Sequence, residues 1–292
     1  MKDNKLVLIS GSGRGLGASI AESFANKGYK VAINYFKSEK QARELANKLG
    51  PDVVPFYADV SSRDDVIELN KNICDTFKKG PDILVNNAMT EYLFNGDLRK
   101  KAHEITWDEI QNHLDITIKG SFNLIQELFK NMKNNNFGRI INVGTNLFQN
   151  PVVPYHDYII AKSGLLGLTR SFAKDLGEFG ITVNMISGGL LKVTDASAAT
   201  PDEVFDAIAS MTPLQRVTTT KDFSDALIFF ASDDARSKYT VGKKAPFPTI
   251  CRPWKLTVHP AGELGSSSLL FGTPSSSSSN SRPLLSTATP GE

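Results

Sequence analysis

Ser10-Gly11-Ser12-Gly13-Arg14-Gly15-Leu16-Gly17 follows the apolar run Leu6-Val7-Leu8-Ile9 and precedes Ala18-Ser19-Ile20-Ala21. That order predicts a buried strand, a tight turn and a helix. Glycines let the backbone turn sharply and come close to a ligand. A helix N-terminus adds free N–H groups and a partial positive charge. The turn therefore reads as a pyrophosphate site built from Gly11, Ser12, Arg14, Gly15, Leu16 and Gly17. A plain tight turn is the bland alternative. A P-loop is disfavoured, because it needs Gly-Lys-Ser/Thr after its glycines.

The rest of the first 242 residues repeats this grammar. Strand-like runs are Val31-Ala32-Ile33, Val53-Val54-Pro55-Phe56, Ile83-Leu84-Val85, Ile140-Ile141-Asn142-Val143 and Ile181-Thr182-Val183. Between them, apolar residues at three- and four-residue spacing predict helices near 15–27, 39–49, 62–78, 107–133 and 157–177. Gly28, Gly50, Gly80, Gly138 and Gly180 stand where left-handed helix caps are wanted. Strands that alternate with helices and read as continuous apolar runs predict a doubly wound α/β domain. Its sheet is parallel and Rossmann-like, with helices on both faces.

Composition narrows the functional classes. The formal net charge is +2, with 33 basic and 31 acidic side chains. Such a balance argues against a broad phosphate-neutralising face for nucleic acid. No apolar run is long enough to span a membrane, and no signal-peptide pattern opens the chain. A soluble, cytoplasmic protein is the expectation. Cys74 and Cys251 make no disulfide framework, and the four scattered histidines suggest no metal site.

Composition changes sharply near residue 242. Residues 243–292 hold seven of the 14 prolines, ten serines, five basic residues and two acidic ones. Apolar periodicity stops there. The expectation is one domain over 1–242 and a disordered low-complexity tail over 243–292.

Two further groups suggest chemistry. At the end of the second strand an Asp or Glu would hold the ribose 2′-hydroxyl of NAD. Here the residues are Asn34-Tyr35-Phe36-Lys37-Ser38. Arg14, Lys37 and Ser38 can meet a 2′-phosphate, so NADP is favoured over NAD. Tyr158 and Lys162 share one helix face. A lysine there can lower a phenol pKa from its ordinary value of about 10, fitting the tyrosine for proton transfer. Thr145 stands just past a strand end, where ligands bind in open parallel sheets.

These segments, in this order and spacing, resemble the short-chain dehydrogenase/reductase family over residues 5–242. The first turn is similar to the family's TGxxxGxG, with Ser10 for Thr. Asp59-Val60 matches the residues used near the adenine, and Asn86-Asn87-Ala88 matches NNAG. Tyr158-Ile159-Ile160-Ala161-Lys162 matches YxxxK. Asn184, Gly189 and Thr194 fall in the N-x-x-x-P-G-x-x-x-T region. The phrases around Asn34-Tyr35 and Ser163–Thr169 look most like bacterial 3-oxoacyl-carrier-protein reductases.

The resemblance implies an NADP-dependent oxidoreductase acting on a small carbonyl or alcohol, including 3-oxoacyl compounds. Tyr158 is then the general acid/base and Lys162 holds the nicotinamide ribose. Thr145 holds the substrate oxygen, and Thr117 stands in the proton relay. Asn87, Ala88 and Gly189 join the cofactor site. A member that binds cofactor without turnover, or a truncated product, is the rival reading.

Four departures from the family pattern stand out. Thr145 replaces Ser, and Thr117 replaces the relay Asn. Met89 replaces the Gly of NNAG, and Gly188 replaces Pro. Residues 190–216 fall in the variable substrate-covering segment, with a short helix expected after Pro201. Phe94, Leu147, Phe148, Val152, Val153, Leu190 and Met211 are candidate pocket residues, with ordinary packing as the alternative. His156 reads as a loop histidine. After Tyr239-Thr240-Val241-Gly242 the prolines Pro246 and Pro248 disqualify the family's last strand. The expectation is a missing strand, an exposed sheet edge and doubtful homo-oligomer formation, with a frameshift or fusion as the origin of the tail.

Overall fold

A computed structural model describes residues 5–192 and 194–235. The expected division at 242, the tail and the missing last strand lie outside the described residues. Six parallel strands form one sheet: β1 (Leu6–Ile9), β2 (Lys30–Tyr35), β3 (Val53–Tyr57), β4 (Ile83–Asn86), β5 (Gly138–Thr145) and β6 (Ile181–Gly188). Their order is β3-β2-β1-β4-β5-β6. All six expected strands are present, and the doubly wound parallel fold is as the sequence indicates.

Successive side chains of a strand point to opposite faces, so both layers can be read from β1 alone. Val7 and Ile9 join a core with α1 (Gly15–Ala25), α2 (Glu39–Leu49) and α8 (Thr220–Ala231) through Ile20, Phe24, Ala42 and Leu227. Leu6 and Leu8 join a second core with α3 (Arg63–Phe77), α5 (Gly120–Asn134) and α6 (His156–Leu176) through Val66, Leu69, Leu128 and Leu176. Every residue of β1 is buried. This is why the strands read as unbroken apolar runs rather than alternating ones.

Two local expectations need correction. The run 107–133 is not one regular helix. It is α4 (Trp107–Leu114) and α5, joined without a break through a π-helical turn at Asp115–Lys119. Apolar spacing does not reveal the added residue, because the flanking turns keep helical periodicity. Gly28 and Gly180 take the expected positive φ, 81° and 71°, while Gly50 caps α2 at φ 101° and ψ −177°, outside the left-handed helical region. After α3 and α5, however, Lys78 and Asn136 take the positive-φ position. Gly80 and Gly138 instead permit close packing: a Cβ on either would stand 2.7 Å from an Asn131 or Met132 side-chain atom. The helix expected after Pro201 is α7 (Asp202–Met211).

In this strand order β1 lies between β2 and β4, so the chain leaves β1 in one direction and β4 in the other. Ligands of such sheets bind in the crevice beyond the strand ends at that switch point.

Candidate active site

A cleft of about 1240 Å³ opens over the C-terminal strand ends. One end is floored by Gly11, Arg14, Gly15, Leu16 and Gly17, and the other contains Thr145, Tyr158 and Lys162. Asn34, Tyr35, Ser38, Asp59, Val60, Asn87, Ala88 and Gly189 also border it. Residues far apart in sequence thus meet in one space.

The glycine turn is held rigid from two sides. Ser10 Oγ accepts the N–H groups of Asn87 and Ala88, both at 3.0 Å. Asn87 Nδ2 donates back to the carbonyls of Ser10 (3.0 Å) and Gly11 (2.9 Å). From β2, Asn34 Oδ1 accepts the Gly11 N–H at 3.1 Å, while its Nδ2 donates to the Ala58 carbonyl at 3.1 Å. Asn34 therefore fastens the turn with its amide.

Ser12 is also structural. Its hydroxyl donates to the Ile9 carbonyl at 2.7 Å, it is fully buried, and it does not border the cleft. Gly11 has φ +61°, and a Cβ there would stand 2.9 Å from Ala88 Cα. A Cβ on Gly17 would stand 2.6 Å from Asn87 Nδ2. Beside Gly15 there is open space. A close-packed turn, open on the cleft side and followed by a helix N-terminus, fits a dinucleotide's pyrophosphate.

Beyond β2, Lys37 and Ser38 line the cleft at the start of α2. The Ser38 side chain makes no capping bond to that helix. No carboxylate occupies the strand end. Arg14 lies at the mouth, 3.5 Å from Asp195 and 3.9 Å from Glu91. The Asp59 carboxylate accepts from the N–H and hydroxyl of Ser61 (2.9 and 2.7 Å) and so shapes the turn after β3.

At the other end, α6 lies against β5. Lys162 Nζ donates to the Val143 carbonyl at 2.7 Å and lies 5.8 Å from the Tyr158 ring centroid. Thr145, at the end of β5, and Tyr158 border the same end of the cleft. All three side chains are buried. Burial pushes the phenol up to about 12, with the nearby Thr145 acting in the opposite direction. Burial brings the lysine down to about 8. The expected lowering of the tyrosine pKa by Lys162 is therefore not present in the chain alone. Desolvation dominates, and the ammonium is turned to a strand carbonyl. At neutral pH the phenol carries its proton.

Residues 11–245 match the family model described as enoyl-(acyl carrier protein) reductase. The 3-oxoacyl-[acyl-carrier-protein] reductase FabG of Staphylococcus aureus is 33% identical over 246 residues, covering 83% of this chain and 96% of that protein. The chain belongs to the short-chain dehydrogenase/reductase family. A short-chain dehydrogenase/reductase double mutant from Serratia marcescens superposes with a TM-score of 0.71 at 26% identity, covering 81% of this chain and 94% of that one. The NADH complex of 3-ketoacyl-(acyl-carrier-protein) reductase from Brucella melitensis has a TM-score of 0.74 at 24% identity, covering 82% and 95%, and supports the fold. The family is one of oxidoreductases that act at carbonyl or alcohol groups with a nicotinamide cofactor.

Against the family pattern, the departures have specific structural outcomes. Thr117 sits on the π-helical turn, buried, and does not border the cleft. Its hydroxyl has no hydrogen-bond partner, while its carbonyl accepts from Ser121 at 2.7 Å. Met89 borders the cleft but is absent from the positive-φ residues, so the torsional conflict expected of a glycine replacement does not arise. A Cβ on Gly188 would lie 3.1 Å from the Phe223 ring.

Of the candidate apolar residues, Phe94, Leu147, Val152, Val153, Leu190 and Met211 line the cleft and Phe148 does not. His156 opens α6 rather than lying in a loop, and it does not border the cleft. Among the described residues there is no helix long and apolar enough to cross a membrane and no cluster of metal-ligating side chains.

Sequence reading missed Tyr92, Arg99, His113 and Asp157, which meet beside Tyr158. Nothing in their spacing brings the loop after β4, α4 and α6 together. Only the adjacency of Asp157 to Tyr158 was a signal.

Proposed function

We propose that this protein is an NADP-dependent carbonyl reductase or alcohol dehydrogenase, with compounds of the 3-oxoacyl type as its first candidate substrates. The observation that carries the reading is one continuous cleft. It begins at a glycine turn fit for a pyrophosphate and ends at the buried side chains of Thr145, Tyr158 and Lys162.

The nicotinamide, when bound, supplies or accepts the hydride. The chain's own residues position and protonate. Thr145 donates a hydrogen bond to the substrate oxygen, and the protonated Tyr158 phenol transfers its proton to that oxygen as negative charge builds there. Lys162 holds the nicotinamide ribose and, when charged, favours the phenolate left behind. In the reverse direction the same phenolate takes the alcohol proton. Tyr92, Phe94 and Met211 keep water from the reacting atoms.

The 2′-phosphate of NADP is met by Lys37, Ser38 and Arg14. Asn34, in place of an acid, supports NADP over NAD, because no carboxylate stands at the end of β2 to repel that phosphate. The 3-oxoacyl class is suggested by the name of the Staphylococcus aureus relative and by the apolar lining around Phe94, Val153 and Met211.

The test is a fluorescence titration with NADPH beside NADH, followed by NADPH consumption with a panel of 3-oxoacyl thioesters and simple ketones. The reading expects tighter NADPH binding, turnover of at least one carbonyl, and binding without turnover in Tyr158→Phe. A wild-type protein that binds NADPH but turns over nothing in the panel would establish the non-catalytic alternative.

A further inference from the structure

Asp157, on α6, is a buried carboxylate one residue from the proton-transfer tyrosine, and two other elements converge on it. From the loop after β4, Tyr92 Oη donates to Asp157 Oδ1 and Arg99 donates to Oδ2, both at 3.0 Å. From α4, His113 Nδ1 lies 3.3 Å from Oδ2, and the Thr90 hydroxyl lies 2.8 Å from His113 Nε2. Burial alone would raise this carboxyl. Hydrogen bonds from His113, the Tyr158 backbone N–H and Tyr92 outweigh that and bring it down to about 2, so it is an anion. A buried anion must be paired, and that need holds the loop against α6.

The tether has a consequence at Tyr158. The Tyr92 ring stacks on the Tyr158 ring, with centroids 5.5 Å apart and planes at 26°. The Arg99 guanidinium lies 4.1 Å from the Tyr92 ring centroid. Phe94, two residues on, meets Tyr158 edge-on at 5.4 Å. The same loop is pinned once more just before α6, where Tyr155 Oη accepts the Gly96 N–H at 2.7 Å. Tyr158 is therefore walled by the loop, and the loop is anchored to the residue beside it.

We infer that Asp157 is a positioning residue: it ties the loop after β4 to α6, so that Tyr92 covers Tyr158 and fixes the phenol in the cleft. The catalytic part of this inference rests on the role proposed for Tyr158; the tether itself does not.

Two readouts separate these. In protein carrying tyrosine labelled with ¹³C at the hydroxyl-bearing ring carbon, the Tyr158 signal is assigned by its loss in Tyr158→Phe. Asp157→Asn and Tyr92→Leu should move that signal, whereas Tyr92→Phe, which keeps the ring, should leave it near its wild-type position. With NADPH and an accepted carbonyl, Asp157→Asn and Tyr92→Leu should lose kcat roughly tenfold or more, the scale of a misplaced reacting group. Their NADPH affinity should stay within about twofold, since the glycine turn is untouched, and Tyr92→Phe should recover most of the rate.

A Tyr158 signal unmoved by both Asp157→Asn and Tyr92→Leu overturns the inference. So does a loss of NADPH binding equal to the loss of rate, which marks general unfolding. If the wild-type protein reduces no carbonyl, the proposed function fails, and the labelled signal still decides the tether.

Discussion

Lys162 Nζ donates to the Val143 carbonyl at 2.7 Å, joining the middle of the cleft-lining helix to the strand that ends in Thr145. This bond spans 19 residues of sequence and fixes α6 on β5 at the end of the cleft that holds Tyr158 and Thr145. It also keeps a lysine in the protein interior, which has a stability signature.

Burial lowers the Lys162 pKa from 10.5 to about 8 in the folded chain. A base with a depressed folded pKa binds fewer protons folded than unfolded between those values, so stability rises as pH increases from 8 towards 10.5. Below pH 8 the folded state bears the whole cost, roughly 3 kcal/mol at 1.36 kcal/mol per pKa unit. Above pH 10 the raised Tyr158 pKa acts in the opposite sense, because the unfolded phenol loses its proton first. Lys162→Met should flatten the rise in stability between pH 8 and 10 relative to wild type, read from urea midpoints across that range.

Thr145 is expected to serve through its hydroxyl alone. Thr145→Val keeps the shape and removes the hydrogen bond to substrate, so kcat/KM should fall roughly 10²-fold, the usual effect of one lost oxyanion donor. Thr145→Ser should stay within about threefold of wild type, because the added methyl stiffens the side chain without making a bond. Steady-state kinetics on the three proteins decides the point.

Asn34 invites an engineering error. Placing an acid there to attract NADH removes the Nδ2 donor to the Ala58 carbonyl and sets a carboxylate oxygen against it. Asn34→Asp should lose roughly 1–3 kcal/mol of stability without gaining NADH affinity. A thermal melt should show a drop of about 2–4 °C per kcal/mol for a domain of this size. Exchanging Lys37 for Glu, on the open side of the cleft, should weaken NADPH more than NADH.

Two glycines predict opposite outcomes. A Cβ on Gly17 would press on Asn87 Nδ2 and Ser12 Cα at 2.6 and 2.7 Å, so Gly17→Ala should destabilise the protein and weaken NADPH binding. Gly167 lies in the interior of α6, with nothing within 4 Å of an added Cβ. Gly167→Ala should stabilise by about 0.5–1 kcal/mol and leave cofactor affinity unchanged. Denaturant melts and fluorescence titrations report both effects.

The architecture was written in local patterns. A strand buried on both faces must be apolar throughout, and a helix on a sheet must repeat its apolar residues every three or four positions, so Leu6–Ile9 and Val66-Leu69-Ile73 announce their states without tertiary information. The glycine turn was legible because close backbone approach admits few other residues. Tyr158 and Lys162 were legible as a pair through their spacing on one helix, and Thr145 through its place just past a strand end. Hydrogen-bond assignments were not legible in this way. Asn34 and Ser12 read from sequence as ligand contacts, and the structure adds that their side chains fasten the turn, because polar groups beside a buried backbone are taken by it first. The sign of the Tyr158 shift depended on burial from Tyr92 and Phe94, on a loop more than 60 residues away in sequence. The Asp157 cluster is an encounter among three separate elements. Short-range periodicity carries secondary structure, whereas desolvation and pairing depend on which surfaces the folded chain brings together, and only the tertiary structure decides that.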